Sequence, residues 1–345
     1  MLYQFRTYGS NSQINSFFSR VSSPGGDHTP VNTGGVKSGA GADKTDNHSQ
    51  PRNHLVRVVS ISQDGLTAQP GTSLLDATIR RLDQSSSFRP DIACLPETFT
   101  RGEPESIAGP TIARLSNWAR KNACWIICPI LIRSGQQVFN SAVLLDRQGS
   151  VVGRYDKIRP TETELQKSIC PGIDNPQVFQ TDFGTIGIQI CFDVNWHTQW
   201  QRLKQQGAQI VFFPSAYPAA RQIRTLAWLN QSFVVTSTKR RAASIFDITG
   251  DVIDTTGKFR HWVAAELPVG KRLFETDFHV EKMRKIEEKY GRKVRVTWYH
   301  DDDLVSLASL VPNLTVEELI SEFDLTLHTA YIQRAQQVQD KNRPK

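Results

Sequence analysis

Short runs of β-branched and aliphatic residues recur between Leu55 and Leu267, and they limit the possible folds more than any other feature of the sequence. In the first part of this region, and again near 190–235, such runs alternate with helical segments. For example, Leu55–Ile61 reads as a strand and Ser73–Leu82 as a helix whose first residue is a good N-cap. Elsewhere two runs flank a turn, as at Asp146–Gly149, which indicates a hairpin. The pattern predicts an α/β domain of mixed sheets with helices outside them.

The composition supports a buried core and argues against several other classes of protein. Hydrophobic residues make up 39% of the 345 residues and charged residues 22%, so most of the chain can bury apolar surface. No stretch approaches the roughly 20 apolar residues that a membrane-spanning helix needs. Five cysteines are too few for a disulfide framework, which favours a reducing compartment such as the cytoplasm.

The net charge of +7 lies in the central part of the chain, between residues 51 and 275. The largest basic cluster there is Lys239–Arg241, and the chain lacks the basic helix or aromatic-rich sheet signature of nucleic-acid-binding domains. We therefore expect no nucleic-acid partner and no membrane partner. The basic surface either favours acidic ligands or is an ordinary solvated surface.

Composition divides the chain into three regions. Residues 1–52 are rich in Gly, Ser, Thr and Asn and bury too little apolar surface to form a core, so we predict a disordered N-terminal arm, with a targeting segment as the alternative. Residues 53–275 form the predicted folded domain. Residues 276–345 are strongly charged and contain two predicted helices, Phe278–Tyr290 and Thr315–Phe323, which predicts a C-terminal helical extension.

Three reactive side chains each follow a predicted buried strand. They are Glu97, Lys157 and Cys191. Active sites concentrate at strand ends, because the sheet fixes the position of the side chain and the loop gives access to it. A nucleophilic thiol also needs a base for its proton and a positive group for the developing oxyanion. Glu, Lys and Cys supply these three roles, although each residue taken alone is more often structural or solvated.

The segments around these residues resemble the three signature segments of the nitrilase superfamily of carbon–nitrogen hydrolases. The intervals of 60 residues from Glu97 to Lys157 and 34 from Lys157 to Cys191 also fit that family. The resemblance covers about Val56 to Leu267. The matching segments are CLPETF at Cys94–Phe99, GRYDKIRPTETE at Gly153–Glu164, GIQICFDVNW at Gly187–Trp196 and PSAYP at Pro214–Pro218.

The resemblance implies a four-layer α-β-β-α sandwich that pairs into a homodimer or a larger homo-oligomer. It implies Cys191 as the nucleophile, Glu97 as the general base and acid, and Lys157 as the oxyanion partner together with the backbone N–H of Phe192. A fourth carboxylate is implied in the segment after Lys157. Glu164 matches that position and Glu162 is the alternative. No cofactor or metal is implied.

The residues after the nucleophile favour a branch within the family. Relatives that hydrolyse nitriles usually carry Trp-Glu there, whereas this chain carries Phe192-Asp193, which is similar to the amidase and carbamoylase branches. The implied substrate is therefore a small amide or carbamoyl compound. Phe192, Trp196 and Tyr217 are the predicted substrate-binding residues, with core packing as the alternative reading for the aromatic residues of this region.

Other functions remain open at this point. The same site permits nitrile hydrolysis or acyl transfer to an amine, and the fold also permits a non-catalytic interaction protein. A carboxylate on the substrate would need a cationic partner, for which Arg159, Arg221 and Arg224 are the candidates.

Overall fold

Two six-stranded sheets form the centre of the part of the chain that this computed structural model describes, residues 55–67 and 73–344. The first sheet has the strand order β12-β1-β2-β3-β4-β5, and only β1, β2 and β3 run parallel to one another. The predicted arm at residues 1–52 lies outside the described residues. The strands are β1 (Leu55–Ile61), β2 (Ile92–Cys94), β3 (Trp125–Ser134), β4 (Gln137–Leu145), β5 (Val151–Asp156) and β12 (Trp262–Pro268).

The second sheet repeats this arrangement with the order β11-β10-β9-β8-β7-β6. Its three central strands, β7, β8 and β9, are parallel and the outer strands are antiparallel to their neighbours. The strands are β6 (Val178–Thr181), β7 (Gly184–Ile188), β8 (Ile210–Ser215), β9 (Phe233–Thr238), β10 (Ser244–Phe246) and β11 (Val252–Thr255).

The central strands are apolar along their length because both faces of each sheet are covered. Successive residues of a strand point to opposite faces. In β1, Val58 therefore packs in the core between the sheets with Ile188 and Phe212, whereas Val59 packs against the outer helices with Leu115. All five side chains are fully buried.

Helices cover the outer face of each sheet. The helices α1 (Leu74–Ser85) and α2 (Pro110–Asn122) pack on the first sheet. The helices α4 (His197–Gln205) and α5 (Ala220–Asn230) pack on the second, and a short helix, α3 (Glu162–Gln166), follows β5. The predicted four-layer α-β-β-α sandwich is confirmed. Within the described residues, no helix is long and apolar enough to cross a membrane.

The C-terminal region differs from the prediction, because it contains strands as well as helices. The helices α6 (Val280–Tyr290) and α7 (Val316–Glu322) lie where the sequence predicts them, and the Thr315–Glu318 capping box is present. A three-stranded antiparallel sheet joins them, in the order β13-β15-β14, and a last helix follows. These elements are β13 (Arg272–Glu275), β14 (Val294–Tyr299), β15 (Leu304–Ser309) and α8 (His328–Lys341).

The strands β14 and β15 were not predicted because charged residues interrupt the apolar pattern that indicates a strand. The charged turn Asp301–Asp303 separates β14 from β15, and Arg295 interrupts the valines of β14. The strands form because their apolar side chains complete a separate core with the two helices, in which Val305, Met283 and Leu319 are fully buried. The extension is therefore mixed rather than helical.

Candidate active site

Glu97, Lys157 and Cys191 all lie just beyond a strand end. Glu97 follows β2, Lys157 is the residue after β5, and Cys191 follows β7. The Lys157 ammonium lies 2.9 Å from Glu97 Oε1, and the charges of both residues act on the Cys191 thiol. The structure therefore brings together three side chains that come from both sheets.

Lys157 is an almost completely buried cation held by two carboxylates. Only 1% of its side chain is exposed, and its Nζ also donates to Glu164 Oε2 at 2.8 Å. Burial alone would lower the pKa of Lys157, but the charges of Glu97, Cys191 and Glu164 raise it above its usual value. The lysine therefore stays positively charged inside the protein.

Of the two candidates for the fourth carboxylate, Glu164 is the one that contacts Lys157. Thr161 caps helix α3, and Glu164 completes the capping box by accepting hydrogen bonds from the Thr161 backbone N–H and hydroxyl. This turn directs Glu164 inward to Lys157 and leaves Glu162 exposed. Burial opposes ionisation of Glu164, but the Lys157 charge and these hydrogen bonds lower its pKa below the usual value.

Asn140, which the sequence analysis did not identify, joins the two carboxylates. Its Nδ2 donates to Glu97 Oε1 at 2.8 Å and to Glu164 Oε1 at 2.7 Å. Its Oδ1 is buried without a hydrogen-bond partner among the described residues. The only sequence signal is an amide within an apolar strand, since Asn140 lies in β4.

Cys191 occupies an unusual backbone conformation. Its φ is +48°, in the left-handed region that residues with a side chain seldom adopt, and it begins the 3₁₀ helix Cys191–Asn195. The side chain is 7% exposed. The next residue, Phe192, lies in the first turn of this helix, where backbone N–H groups lack intrahelical partners. The Phe192 N–H therefore lies on the same short segment as the thiol.

The surroundings of the Cys191 thiol disfavour its ionisation. Burial and the Glu97 charge raise the pKa of Cys191 to about 11, against the opposing effects of the Lys157 charge and of hydrogen bonds from the Ser215 side chain and the Ala216 backbone. A thiol with this pKa reacts at neutral pH only if a neighbouring group removes its proton. Glu97 is the carboxylate whose charge acts on the thiol.

Asp193 stabilises the turn at Cys191 through three hydrogen bonds. Its carboxylate accepts hydrogen bonds from the Ile190 backbone N–H at 2.9 Å, the Arg159 backbone N–H at 2.8 Å and the Tyr155 hydroxyl at 2.8 Å. Burial raises the pKa of Asp193 to about 7, although these three donors oppose the rise. Asp193 therefore connects the segment after β7 to the segment that carries Lys157.

The predicted substrate-binding aromatic residues lie in two places around the thiol. Phe192 and Trp196 form an edge-to-face pair with ring centroids 5.3 Å apart. Tyr217 is 38% exposed, and desolvation together with the Cys191 and Glu97 charges raises its pKa. Trp228, in contrast, packs against the core between the sheets and lies 6.4 Å from the His328 ring.

Two cationic side chains contact residues close in sequence to Glu97, Lys157 or Cys191, which together we call the catalytic cluster. Arg159 stacks over Trp196 at 5.3 Å and forms an ion pair with Asp174 at 2.8 Å. Lys239 follows β9, and its Nζ donates to Thr98 Oγ1 at 2.9 Å, next to Glu97. Lys239 has no carboxylate partner within the described part of the chain. The sequence feature that could have identified Lys239 is its position directly after a strand, a position of the same kind as those of Glu97, Lys157 and Cys191.

The other two arginine candidates for a substrate carboxylate lie on α5, and both are exposed. Arg224 donates to the Gly250 carbonyl oxygen at 3.1 Å. The backbone carbonyl oxygen of Arg221 accepts a hydrogen bond from the Thr225 hydroxyl, a common contact within helices. No contact of either side chain joins it to the cluster around Lys157 in the described residues.

Sequence comparison identifies relatives of known class. The family model for carbon–nitrogen hydrolases matches residues 56–270. Similar proteins include N-carbamoylputrescine amidase from Solanum tuberosum, 32% identical over 124 residues, which are 35% of this chain and 41% of that protein. Deaminated glutathione amidase from Bos taurus is 28% identical over 149 residues, covering 36% and 45% of the two chains. The chain thus spans less than half the length of these curated relatives.

Structural comparison identifies the same fold. An amidase from Nesterenkonia sp. superposes with a TM-score of 0.55 and 18% identity, over 63% of this chain and 92% of that chain. Saccharomyces cerevisiae Nit3, a member of branch 10 of the nitrilase superfamily, gives a TM-score of 0.55 and 18% identity over 64% and 92%. At this identity the likeness concerns the fold alone.

Proposed function

The chain belongs to the carbon–nitrogen hydrolase family, and from this premise we propose that it is an amidase-like hydrolase with Cys191 as its nucleophile. One observation carries the proposal. A buried lysine ammonium lies between two carboxylates, and the charges of Lys157 and Glu97 both act on a buried thiol. These are the base, the oxyanion partner and the nucleophile that thioester chemistry requires.

In the proposed reaction, Cys191 Sγ attacks the carbonyl carbon of an amide or carbamoyl group while Glu97 accepts the thiol proton. Lys157 Nζ and the Phe192 N–H stabilise the oxyanion that forms. The C–N bond then breaks, Glu97 returns the proton to the leaving ammonia or amine, and a thioester remains on Cys191. Water attacks the thioester with Glu97 again as the base, the C–S bond breaks, and the thiol is regenerated as the acid leaves, a carboxylic acid from an amide or a carbamic acid from a carbamoyl compound.

Glu164 and Asn140 act in this scheme by positioning. Glu164 restrains Lys157 Nζ by a second ion pair beside that with Glu97, and Asn140 sets the spacing of the two carboxylates. A lysine restrained in this way needs little reorganisation when the oxyanion forms, which is the condition under which such donors are most effective.

Features around the thiol support amides over nitriles as substrates. Phe192-Asp193 follows the nucleophile where nitrile-hydrolysing relatives usually carry Trp-Glu. Solved structures of the related Nesterenkonia amidase include one with an adduct of fluoroacetamide on that protein's active-site cysteine. We extend the proposal to small substrates, and to Lys239 rather than Arg159 as the partner of any substrate carboxylate, because Arg159 is already paired with Asp174.

The test is ammonia release from a panel of small amides, carbamoyl compounds and the matching nitriles, with intact-mass analysis of the protein. We expect turnover of an amide or carbamoyl compound, a trapped acyl adduct on Cys191, and loss of both in Cys191→Ala. Faster hydrolysis of the nitrile would favour a nitrilase, and transfer of the acyl group to an added amine would favour an acyltransferase. Absence of any adduct would contradict the proposal and favour a non-catalytic member of the family.

A further inference from the structure

A cavity of about 260 Å³ lies at the end of the second sheet opposite the candidate active site. Gln209, just before β8, and Phe233, the first residue of β9, line it. Because β7, β8 and β9 are parallel, these residues mark the amino ends of the strands, whereas Cys191 and Ser215 lie at the carboxyl ends. The six residues of β8 separate the two ends by roughly 17 Å, at about 3.3 Å per residue.

Three cationic side chains and no acidic one line this cavity. Lys204 comes from α4, Lys271 precedes β13, and Arg272 is the first residue of β13. Their charges come from two parts of the fold that are far apart in sequence. The cavity therefore concentrates positive charge at the junction of the sandwich with the C-terminal extension.

The three cations differ in how far they are neutralised. Lys271, 9% exposed, pairs with Asp247 at 2.7 Å, and Arg272 pairs with Glu317 at 2.6 Å. The Lys204 amine donates to the Gln231 carbonyl oxygen at 2.9 Å and has no carboxylate partner in the described part of the chain. Desolvation and the nearby Arg272 charge both lower the pKa of Lys204, to about 8. Lys204 is also exposed, so a ligand can reach its ammonium without displacing a carboxylate.

We propose that this cavity binds a small organic anion, whose carboxylate or phosphate group contacts Lys204 and Arg272. Ammonium and guanidinium groups are the usual partners of both anions, and the guanidinium of Arg272 has five donors, of which its contacts with Glu317 and the Lys271 carbonyl oxygen engage two. The apolar side chains of Phe233, Ile248 and Leu327 line the same space and receive the carbon skeleton.

Ligand binding here would connect two parts of the protein. Leu327 and Thr329 belong to the extension, whereas Gln209 and Phe233 belong to the second sheet of the sandwich. A ligand that contacts both parts binds only the folded arrangement and raises its stability by mass action. This site is independent of the proposed hydrolase activity, since none of its residues lies in the catalytic cluster.

The experiment titrates the full-length protein with phenyl phosphate, benzoate and inorganic phosphate by isothermal calorimetry at constant ionic strength. We expect at least one aromatic anion to bind with a Kd of about 1 mM or lower, and more tightly than inorganic phosphate. Lys204→Gln should weaken that binding at least about 10-fold, as expected for the loss of a charged partner. Thr329→Trp, which fills the cavity and keeps its charges, should also weaken it.

Arg202→Gln is the matched control, because Arg202 lies on the same helix and contacts the Asp174 carbonyl oxygen instead. It should leave the affinity within about twofold, and Lys204→Gln should leave amide turnover unchanged. Equal weakening in Lys204→Gln and Arg202→Gln would mean non-specific attraction to a basic surface and would overturn the proposal. So would binding that neither Lys204→Gln nor Thr329→Trp affects, or the absence of binding by all three anions.

Discussion

Lys157 Nζ lies 2.9 Å from Glu97 Oε1, although the two residues are 60 positions apart and belong to different strand ends. Both side chains are almost fully buried, with exposures of 1% and 6%. A buried pair of this kind is costly to desolvate and gains little net stability. A pair that contributes little to stability is consistent with the proposed role of both residues in the reaction, and this relationship sets the first two predictions.

Lys157→Met should lower kcat by about 100- to 1000-fold and change KM only a few-fold. The reason is that Lys157 meets a full negative charge only when the oxyanion forms, so ground-state binding loses little. Steady-state kinetics on the best amide of the panel measures both constants. Lys121→Met, at an exposed position of α2, is the control. An unchanged kcat with a raised KM would assign Lys157 to substrate binding instead.

Glu97→Gln should slow both the reaction of the Cys191 thiol and turnover. Glu97 is the proposed acceptor of the thiol proton, so iodoacetamide at pH 7 should alkylate Cys191 more slowly in the variant, although loss of the Glu97 charge by itself would lower the pKa of the thiol. Amide turnover should fall by about 100-fold or more, because the leaving ammonia loses its proton donor. Mass mapping is needed to distinguish Cys191 from Cys170, which is partly exposed. Retained turnover would remove Glu97 from the acid–base role.

Asn140→Ala should destabilise the protein and slow turnover together. It removes two hydrogen bonds to carboxylates, each worth about 1.5–3 kcal/mol in typical proteins, and lets Glu97 and Glu164 move apart. Urea unfolding and kcat are the measurements, and exposed Asn117→Ala is the comparison. If kcat is normal at a temperature where the variant is folded, Asn140 has a structural role only.

Asp193 should make stability fall as the pH rises from about 4 to about 7. Its pKa in the folded protein is about 7 against an ordinary value of 3.8, so in this window the folded state holds a proton that the unfolded state has released. Stability from this group is complete below the lower pKa and is lost by the upper one, a change of at most about 4 kcal/mol. The free energy of unfolding between pH 4.5 and 8 measures it. The Asp193→Asn variant should lack this component; an identical slope in both proteins would contradict the assignment.

Lys239→Gln should raise KM for an amide that carries a distal carboxylate, such as succinamate, by about 10-fold or more. It should leave KM for a neutral amide of similar size unchanged, because only the charged group meets the ammonium. Arg240→Gln, on the exposed neighbouring residue, controls for general surface charge. Equal effects on both substrates would show that Lys239 acts through Thr98 and the backbone near Glu97 rather than on the substrate.

The local sequence signals gave most elements of the sandwich. Leu55–Ile61 and Val252–Thr255 have the predicted bounds, and the predicted N-cap, Ser73, forms a capping box with Asp76. These signals depend on residues within about four positions of one another, so a single sequence is enough to predict the elements. The division of the chain at residue 275 and the homodimer stay predictions. The strand β13 lies before that division but pairs with β15 after it.

The sequence by itself predicted Glu97, Lys157 and Cys191 as the candidate reactive side chains and placed each after a strand, because motif and periodicity are local properties. It left Glu162 and Glu164 as alternatives and gave no reason to select Asn140. Only the tertiary structure shows which of these side chains meet: the capping turn at Thr161 directs Glu164 to Lys157, and the register of β4 places Asn140 between Glu97 and Glu164. Those contacts span 43 and 24 positions of the chain, and only the pairing of strands in a folded sheet fixes such distances.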